Sequence, residues 1–378
     1  MKTEKSDFSL KEIQLFTLKN KESMVKAEKQ FYIFGMGNRE KFIYKSGGSL
    51  IKFDTNEEVF NFDVKREKFL YDRYMVVVWT NDGATYLISE DSWGAYIYDI
   101  TNSDTLYEGR RLIKTLTTSE YINLPDFEDT EYPEQLRILH GEILVSFLGN
   151  LPVPNIYTYK KPWYRDGAMM ALVLEKTKNL HLIRPWALSV KELYDKNNKG
   201  NCEPDNLGQL AFVLSYFVDK NYPIIAEIYN EAERIAENGL LTGLTDYGHH
   251  EIYATLWLKL AFDRLGINAN FINIPQEFDS YARMFWMDKE GVETKTPFEN
   301  KYDEWYPYLS WAVYHFNGDV IPEDLLKIRY PMSWEIRASE ANYDLIKPLS
   351  EEYAKEKCSA PHSWHAAEMF MYLIEKRI

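Results

Sequence analysis

Between residues 30 and 115 the apolar positions come in short runs rich in β-branched and aromatic side chains. The runs at 41–44, 49–53, 59–64, 74–80, 84–89 and 95–100 read as strands. Ser46-Gly47-Gly48 and Asn81-Asp82-Gly83 supply turn signals between them. This pattern predicts a β-meander or small sandwich. Near residue 131 the period changes to a helical one, and helices are expected at about 133–148, 165–177, 183–195, 205–219, 223–238, 247–265, 276–287, 304–317, 338–349 and 363–376. A weaker helical pattern covers 9–29, and no further strand pattern follows residue 131.

The expected helices differ in how their apolar residues are spread. Those near 165, 205 and 363 are apolar almost all round, as in Ala168-Met169-Met170-Ala171-Leu172-Val173-Leu174, and such helices are buried on every side. The helix at 223–238 instead carries one stripe of Ile224, Ile225, Ile228, Ala232 and Ile235, with Glu227, Glu231, Glu233 and Arg234 elsewhere. Alternation of buried and amphipathic helices predicts a mainly α domain, an α/α toroid of five to six helical hairpins at 131–378. A β-rich N-terminal domain at 1–130 precedes it. The alternative is an irregular all-α domain, since no sequence repeat is evident.

Polar and aromatic residues gather where the buried helices begin. The groups are Trp163-Tyr164-Arg165-Asp166-Gly167, Glu203-Pro204-Asp205-Asn206, Thr245-Asp246-Tyr247-Gly248-His249-His250-Glu251, Tyr302-Asp303-Glu304-Trp305-Tyr306 and Pro361-His362-Ser363-Trp364-His365. Parallel inner helices would bring these starts to one rim. Acidic residues at a helix start also cap free N–H groups and suit the helix dipole, so any one group alone reads more readily as capping. Capping gives no reason for the tryptophans, Arg165 and the histidines at the same places.

Trp163-Tyr164-Arg165-Asp166-Gly167-Ala168, running into an apolar helix, resembles the Trp-x-Arg-Asp element of the six-hairpin (α/α)6-toroid glycosidase clan, the glucoamylases among them. Residues Glu203 to Gln209 and Ser363-Trp364-His365-Ala366-Ala367-Glu368 resemble later inner-helix starts of that clan. The likeness covers the architecture of 131–378 but only some twenty residues as motif. It implies that Arg165 and Asp166 grip sugar hydroxyls beside the scissile bond. The paired catalytic glutamates of the glucoamylases have no clear counterpart here.

The composition narrows the chemistry. A net charge of -14 over 378 residues disfavours nucleic acid and anionic membrane surfaces, which need Lys/Arg patches. The longest apolar runs are too short to span a bilayer. Met1 to Asp7 leads into no signal-type apolar stretch, and the compartment stays open between cytoplasm and secretion with a signal removed. Cys202 and Cys358 form neither a metal pair nor a disulfide framework. Adjacent His249 and His250 diverge by about 100° on a helix, poor spacing for one ion, so no metal is expected. Gly35-Met36-Gly37-Asn38 lacks the third glycine and following helix of a dinucleotide loop, and no cofactor is expected.

A carbohydrate-active enzyme follows as the expectation, most simply a glycoside hydrolase working with two carboxylates on an oligosaccharide or polysaccharide. The catalytic candidates are Glu203, as the acid raised by desolvation, and Asp246 or Glu304 as the base. The substrate-binding candidates are Trp163, Arg165, Asp166, Asp205, His249, His250, Trp305, Trp364 and His365. Two other readings stand beside it: a polysaccharide lyase or sugar epimerase with a histidine or tyrosine base, and a non-catalytic glycan-binding protein.

Overall fold

The computed structural model describes residues 31–246, 248–275, 332–333, 335–336, 341–349, 351–355, 357–359 and 361–375. The helices expected at 9–29, 276–287 and 304–317, together with Glu304 and Trp305, lie outside these residues. The chain divides into two units, Met1–Leu124 and Pro125–Ile378.

The first unit is β-sandwich-like. Strands β1 (Phe31–Phe34), β2 (Phe42–Lys45), β3 (Ser49–Lys52) and β4 (Glu58–Asn61) form one antiparallel meander. A second meander holds β5 (Val64–Leu70), β6 (Met75–Thr80), β7 (Thr85–Glu90), β8 (Gly94–Asp99) and β9 (Arg111–Thr118). Aromatic rings join the two: Tyr44 meets Phe69 at 5.7 Å and Phe62 meets Tyr86 at 5.3 Å. Every residue of β6 is buried, because Met75, Val77 and Trp79 pack in a second cluster with Leu87, Tyr98, Ile100 and Leu106. A strand covered on both faces has no polar positions to alternate, which is why it reads as a continuous apolar run.

In the second unit, helices α1 (Pro133–Val145), α2 (Tyr164–Lys176), α4 (Asp205–Leu214), α6 (Glu251–Leu265) and α8 (Ser363–Glu375) are the buried ones. They pack in the spatial succession α1, α8, α2, α4, α6. Helix α5 (Pro223–Ile235) buries Ile224, Ile225, Ile228 and Ala232 and leaves its acidic residues outward, as its stripe predicts.

The α/α toroid of five to six hairpins is not formed; the described residues carry too few helices and too many strands for it. Several expected partners of the buried helices fail to appear. The segment expected at 183–195 gives only the six-residue α3 (Arg184–Ser189), after which Val190 is extended. Within 338–349 the described residues form a single 3-10 turn, Tyr343–Ile346, and the short α7 (Glu351–Lys355) follows. Short hairpins take up chain at the ends of segments that the helical period claimed: β10 (Phe147–Leu148) with β11 (Leu151–Pro152), β12 (Ala236–Glu237) with β13 (Leu240–Leu241), and β14 (Leu244–Thr245) with β15 (Gly248–His249). Outside the claimed segments, β16 (Glu335–Ile336) pairs antiparallel with β17 (Cys358–Ser359). The helix expected to run to 238 stops at Ile235 because Asn238 and Gly239 both take positive φ, 53° and 92°. Asn-Gly in that conformation closes a two-residue hairpin, and this turn chemistry outweighs the apolar period around it.

Helices α4 and α6 touch backbone to backbone at Gly208. A Cβ there would lie 2.3 Å from the Leu258 amide nitrogen and 2.7 Å from the Trp257 carbonyl carbon. Helix propensity alone would make Gly208→Ala stabilising by up to about 1 kcal/mol. The clash is with backbone, which no rotamer change relieves. Denaturant titration of Gly208→Ala is therefore expected to show a loss of about 3 kcal/mol, the upper range for overpacking; a gain in stability would place the two helices farther apart than this.

Candidate functional site

Tyr164–Lys176 begins without a side-chain cap of its own. The cap comes from elsewhere: Asp195 Oδ2 accepts the Tyr164 N–H at 2.8 Å, and Asn206 Oδ1 accepts the Asp195 N–H at 3.1 Å. Burial raises the Asp195 carboxyl above its ordinary range, against the pull of the Asn197 and Tyr164 N–H groups and of Arg165. Helix α8 is started in the same way. Asp166 accepts the Ser363 hydroxyl at 2.7 Å and the Trp364 N–H at 3.2 Å, and the His362 ring lies 3.9 Å away. The Asp166 carboxylate thus satisfies donors at the neighbouring helix start, the role ordinarily expected of an acidic residue at such a place.

Arg165 does something capping does not explain. Its side chain, 7% exposed, spreads one guanidinium over three carboxylates from separate segments. Nε donates to Asp205 Oδ2 at 3.0 Å and Nη1 to Asp246 Oδ1 at 2.8 Å, and Nη2 stands 3.5 Å from Glu203 Oε2. Glu203 and Asp205 are buried, whereas the Asp246 side chain is 31% exposed. The β14–β15 hairpin delivers Asp246, whose φ of 54° and whose N–H, donated to Glu203 Oε1, fix its position.

Burial pushes the Glu203 carboxyl up to about 7; Arg165 opposes the rise and Asp205 adds to it. The cluster thus holds a buried carboxyl poised near neutrality beside a carboxylate that reaches solvent, an arrangement that separates an acid from a base. The floor is polar: Gln209 Nε2 donates to Asp205 Oδ2 at 2.8 Å and to the Tyr253 hydroxyl at 3.1 Å.

Other expected site residues are placed differently. Trp163 is buried and packs on Tyr159, Ala341 and Tyr343. Trp364 is buried, donates to Glu368 at 3.2 Å and faces Tyr253 at 6.4 Å. His365 is buried with its ring 4.6 Å from that of His362. His249 is exposed and joined to Glu251 at 2.9 Å, and His250 precedes α6. Arg165, Glu203, Asp205 and Asp246 are therefore brought together directly, while Asp166, Trp364 and His365 form an adjoining group around the start of α8. Among the described residues, no set of His, Cys, Asp and Glu is arranged to hold a metal ion. A surface depression lined by Tyr216, Asp219, Tyr222 and Pro223 follows the C-terminal end of α4, at the end of that helix opposite to Asp205.

Sequence reasoning missed Asn198, whose buried amide donates to Glu203 Oε1 at 3.2 Å and to the Asp246 carbonyl at 3.3 Å. In sequence it sits in Asn197-Asn198-Lys199-Gly200, an ordinary turn composition. It also missed Glu142 on the apolar α1. Glu142 is fully buried, accepts from the N–H groups of Met332 and Ser333 and from the Ser333 hydroxyl, and is raised to about 7 by burial against those donors.

Comparison with known protein families, curated proteins and solved structures finds no match.

Proposed function

We propose that the chain is a carbohydrate-active enzyme, a glycoside hydrolase in which Glu203 is the general acid and Asp246 the second carboxylate. The observation that carries this reading is the pair of carboxyl groups on one guanidinium with opposite environments. Hydrolysis of a glycosidic bond needs one carboxyl protonated to release the leaving oxygen and another ionised to activate water or attack. Burial keeps a proton on Glu203 up to about pH 7. Exposure leaves Asp246 able to meet a substrate from solvent. Asp205, fully buried, anchors Arg165.

A uronate lyase needs a cation to neutralise the substrate carboxylate. Arg165 already serves three carboxylates, so this cluster favours hydrolysis over proton abstraction beside a uronate. The reading rests on the carboxylates and not on any toroid architecture.

The test is Glu203→Gln assayed against a panel of glycosides. The amide cannot donate a proton, and loss of general acid catalysis is worth about 10²–10⁴ in rate. The variant is expected to lose that factor on natural glycosides and to keep more of its activity on aryl glycosides, whose leaving groups need little protonation. The wild-type kcat/KM is expected to fall above about pH 7, and that limb should vanish in Glu203→Gln. Binding without turnover would instead favour a glycan-binding protein. Turnover undisturbed by the substitution would remove Glu203 from the chemistry.

A further inference from the structure

Two large aromatic side chains of the first unit stand together in solvent: Trp93 is 58% exposed and Tyr121 47%. Their ring centroids are 5.1 Å apart and their planes meet edge to face at 63°. Exposure alone says little, since single apolar residues are common on protein surfaces. The backbone beneath the pair says more.

The rings are carried by two segments that one buried arginine ties together. Arg39 donates through Nη1 to the Asp91 carbonyl at 2.8 Å, through Nη2 to the Ser92 carbonyl at 2.7 Å and through Nε to the Ser119 hydroxyl at 2.9 Å. The segments also bond to each other. The Ser119 N–H donates to the Trp93 carbonyl at 3.2 Å, and the Ile122 N–H to the Ser92 carbonyl at 2.9 Å. Asp91 Oδ1 accepts the N–H groups of Trp93 at 2.8 Å and Gly94 at 3.1 Å, which closes the turn that presents Trp93. Both rings therefore stand on backbone that is fixed before any ligand arrives, and a fixed platform loses little entropy on binding.

Size, geometry and charge select the ligand. About half exposed, the two rings offer roughly 200 Å², against about 800 Å² per partner in a stable protein interface. The other exposed large apolar residues of this unit, Tyr107, Leu112 and Ile113, do not extend the patch. Strand β9 pairs Thr118 with Gly94 beside the rings and Arg111 with Asp99 at its far end, where those three residues lie. The rings touch, so no group fits between them as a cation fits between the walls of an aromatic cage. Nucleobases also stack on such rings, but their phosphates need Lys/Arg, whereas Asp91 and Glu120 flank these rings in a chain of net charge -14. A neutral sugar meets all three conditions. One face of a pyranose is C–H and lies flat on an indole or phenol ring, and its edge carries hydroxyls for polar residues such as Asp91, Ser92 and Glu120 in the same segments.

We propose that Trp93 and Tyr121 form a glycan-binding platform on the first unit, on which a neutral polysaccharide chain stacks. The choice of a sugar rests on the hydrolase reading, but the platform binds without turnover, so the two fail separately.

The experiment is affinity electrophoresis of the full chain through native gels containing soluble starch, hydroxyethylcellulose, xylan or galactomannan. At least one of the four is expected to retard the wild type. Trp93→Ala should weaken that affinity at least about fivefold, the worth of one stacked ring, and Tyr121→Ala by less. Leu112→Ala, at the far end of β9, should leave it unchanged. All three variants should melt near the wild-type temperature, because the side chains removed are half exposed or more, and Trp93→Ala should turn over small aryl glycosides as the wild type does. No retardation in any gel, retardation that survives Trp93→Ala, or an equal loss in Leu112→Ala would each overturn the proposal. So would a dimer that Trp93→Ala splits into monomers in sedimentation, because a second copy would then cover the rings. Glu203-dependent hydrolysis of aryl glycosides with no ring-dependent retardation would overturn the platform and leave the hydrolase reading intact. Ring-dependent retardation with no glycoside turnover would do the reverse.

Discussion

Arg165→Met is expected to lower the unfolding free energy by about 3–5 kcal/mol, the range for removing one partner from a buried ionic cluster. Methionine fills much of the same volume and has no charge. Glu203, Asp205 and Asp246 would then face one another without the guanidinium that now touches each of them. The pH dependence identifies the cause. Glu203 already stands at about 7, above its ordinary 4.5, so its contribution is fully present below about 4.5 and is lost as pH rises through 7. Arg165 pulls that carboxyl down, so its removal sends Glu203 higher still. The deficit should therefore be smaller at pH 5, where Glu203 is protonated with or without Arg165, and larger at pH 8. Denaturant unfolding at the two values measures it. Arg165→Lys should recover only part, because an ammonium lacks the planar fork that meets several carboxylates at once. A deficit below about 1 kcal/mol, within the range of surface ion pairs, would mean that the cluster is solvated.

Glu90→Ala should cost a comparable amount, about 3–5 kcal/mol, with the opposite dependence on pH. Glu90 ends β7 and reaches the turn that follows β1 of the other sheet, accepting the N–H groups of Gly35 at 2.8 Å and Met36 at 2.7 Å and the Arg39 guanidinium at 2.9 Å. Arg39 also holds Ser119 and the carbonyls of Asp91 and Ser92, and its side chain is fully buried. The Lys41 ammonium donates to the carbonyls of Gly35, Gly37 and Arg39. Alanine would strand two buried N–H groups and leave the guanidinium without its counter-charge. Burial brings Lys41 down to about 7 from 10.5, with Glu90 pulling it up. Lys41 therefore holds its proton in the folded state only below about pH 7, and only there does its charge need Glu90. The deficit should deepen between pH 8 and pH 5.5, again read by denaturant unfolding. A deficit that shrinks towards acid pH would show that Lys41 takes no part.

Gly35-Met36-Gly37-Asn38, set aside in sequence as a nucleotide loop, is thus a turn wrapped round a lysine. Nothing local announces this, because Glu90 lies more than fifty residues away. The same limit governs the candidate site. Arg165, Glu203, Asp205 and Asp246 stand out in sequence as polar residues beside apolar helix starts, and the fold does bring them together. Asp166 stands out equally, yet its carboxylate is turned to Ser363 and Trp364. A pattern of polar residues marks where a helix begins; it does not say whether the side chain will meet a neighbouring helix or a ligand.

The residues alone carry the β-rich start, the buried helices beginning near residues 165, 205 and 363, the existence of a helix over the segment expected at 247–265, and the amphipathic stripe of α5. These follow from burial and period, which each segment carries in its own residues. Long-range packing settled that the helices do not close a toroid of hairpins. It also decided that short hairpins such as Asn238-Gly239 replace helical turns, and that Asn198 and Gln209 complete the surroundings of Arg165. Those outcomes depend on which distant groups satisfy a buried donor, acceptor or charge. A pairing across forty or two hundred residues leaves no periodic trace in the chain.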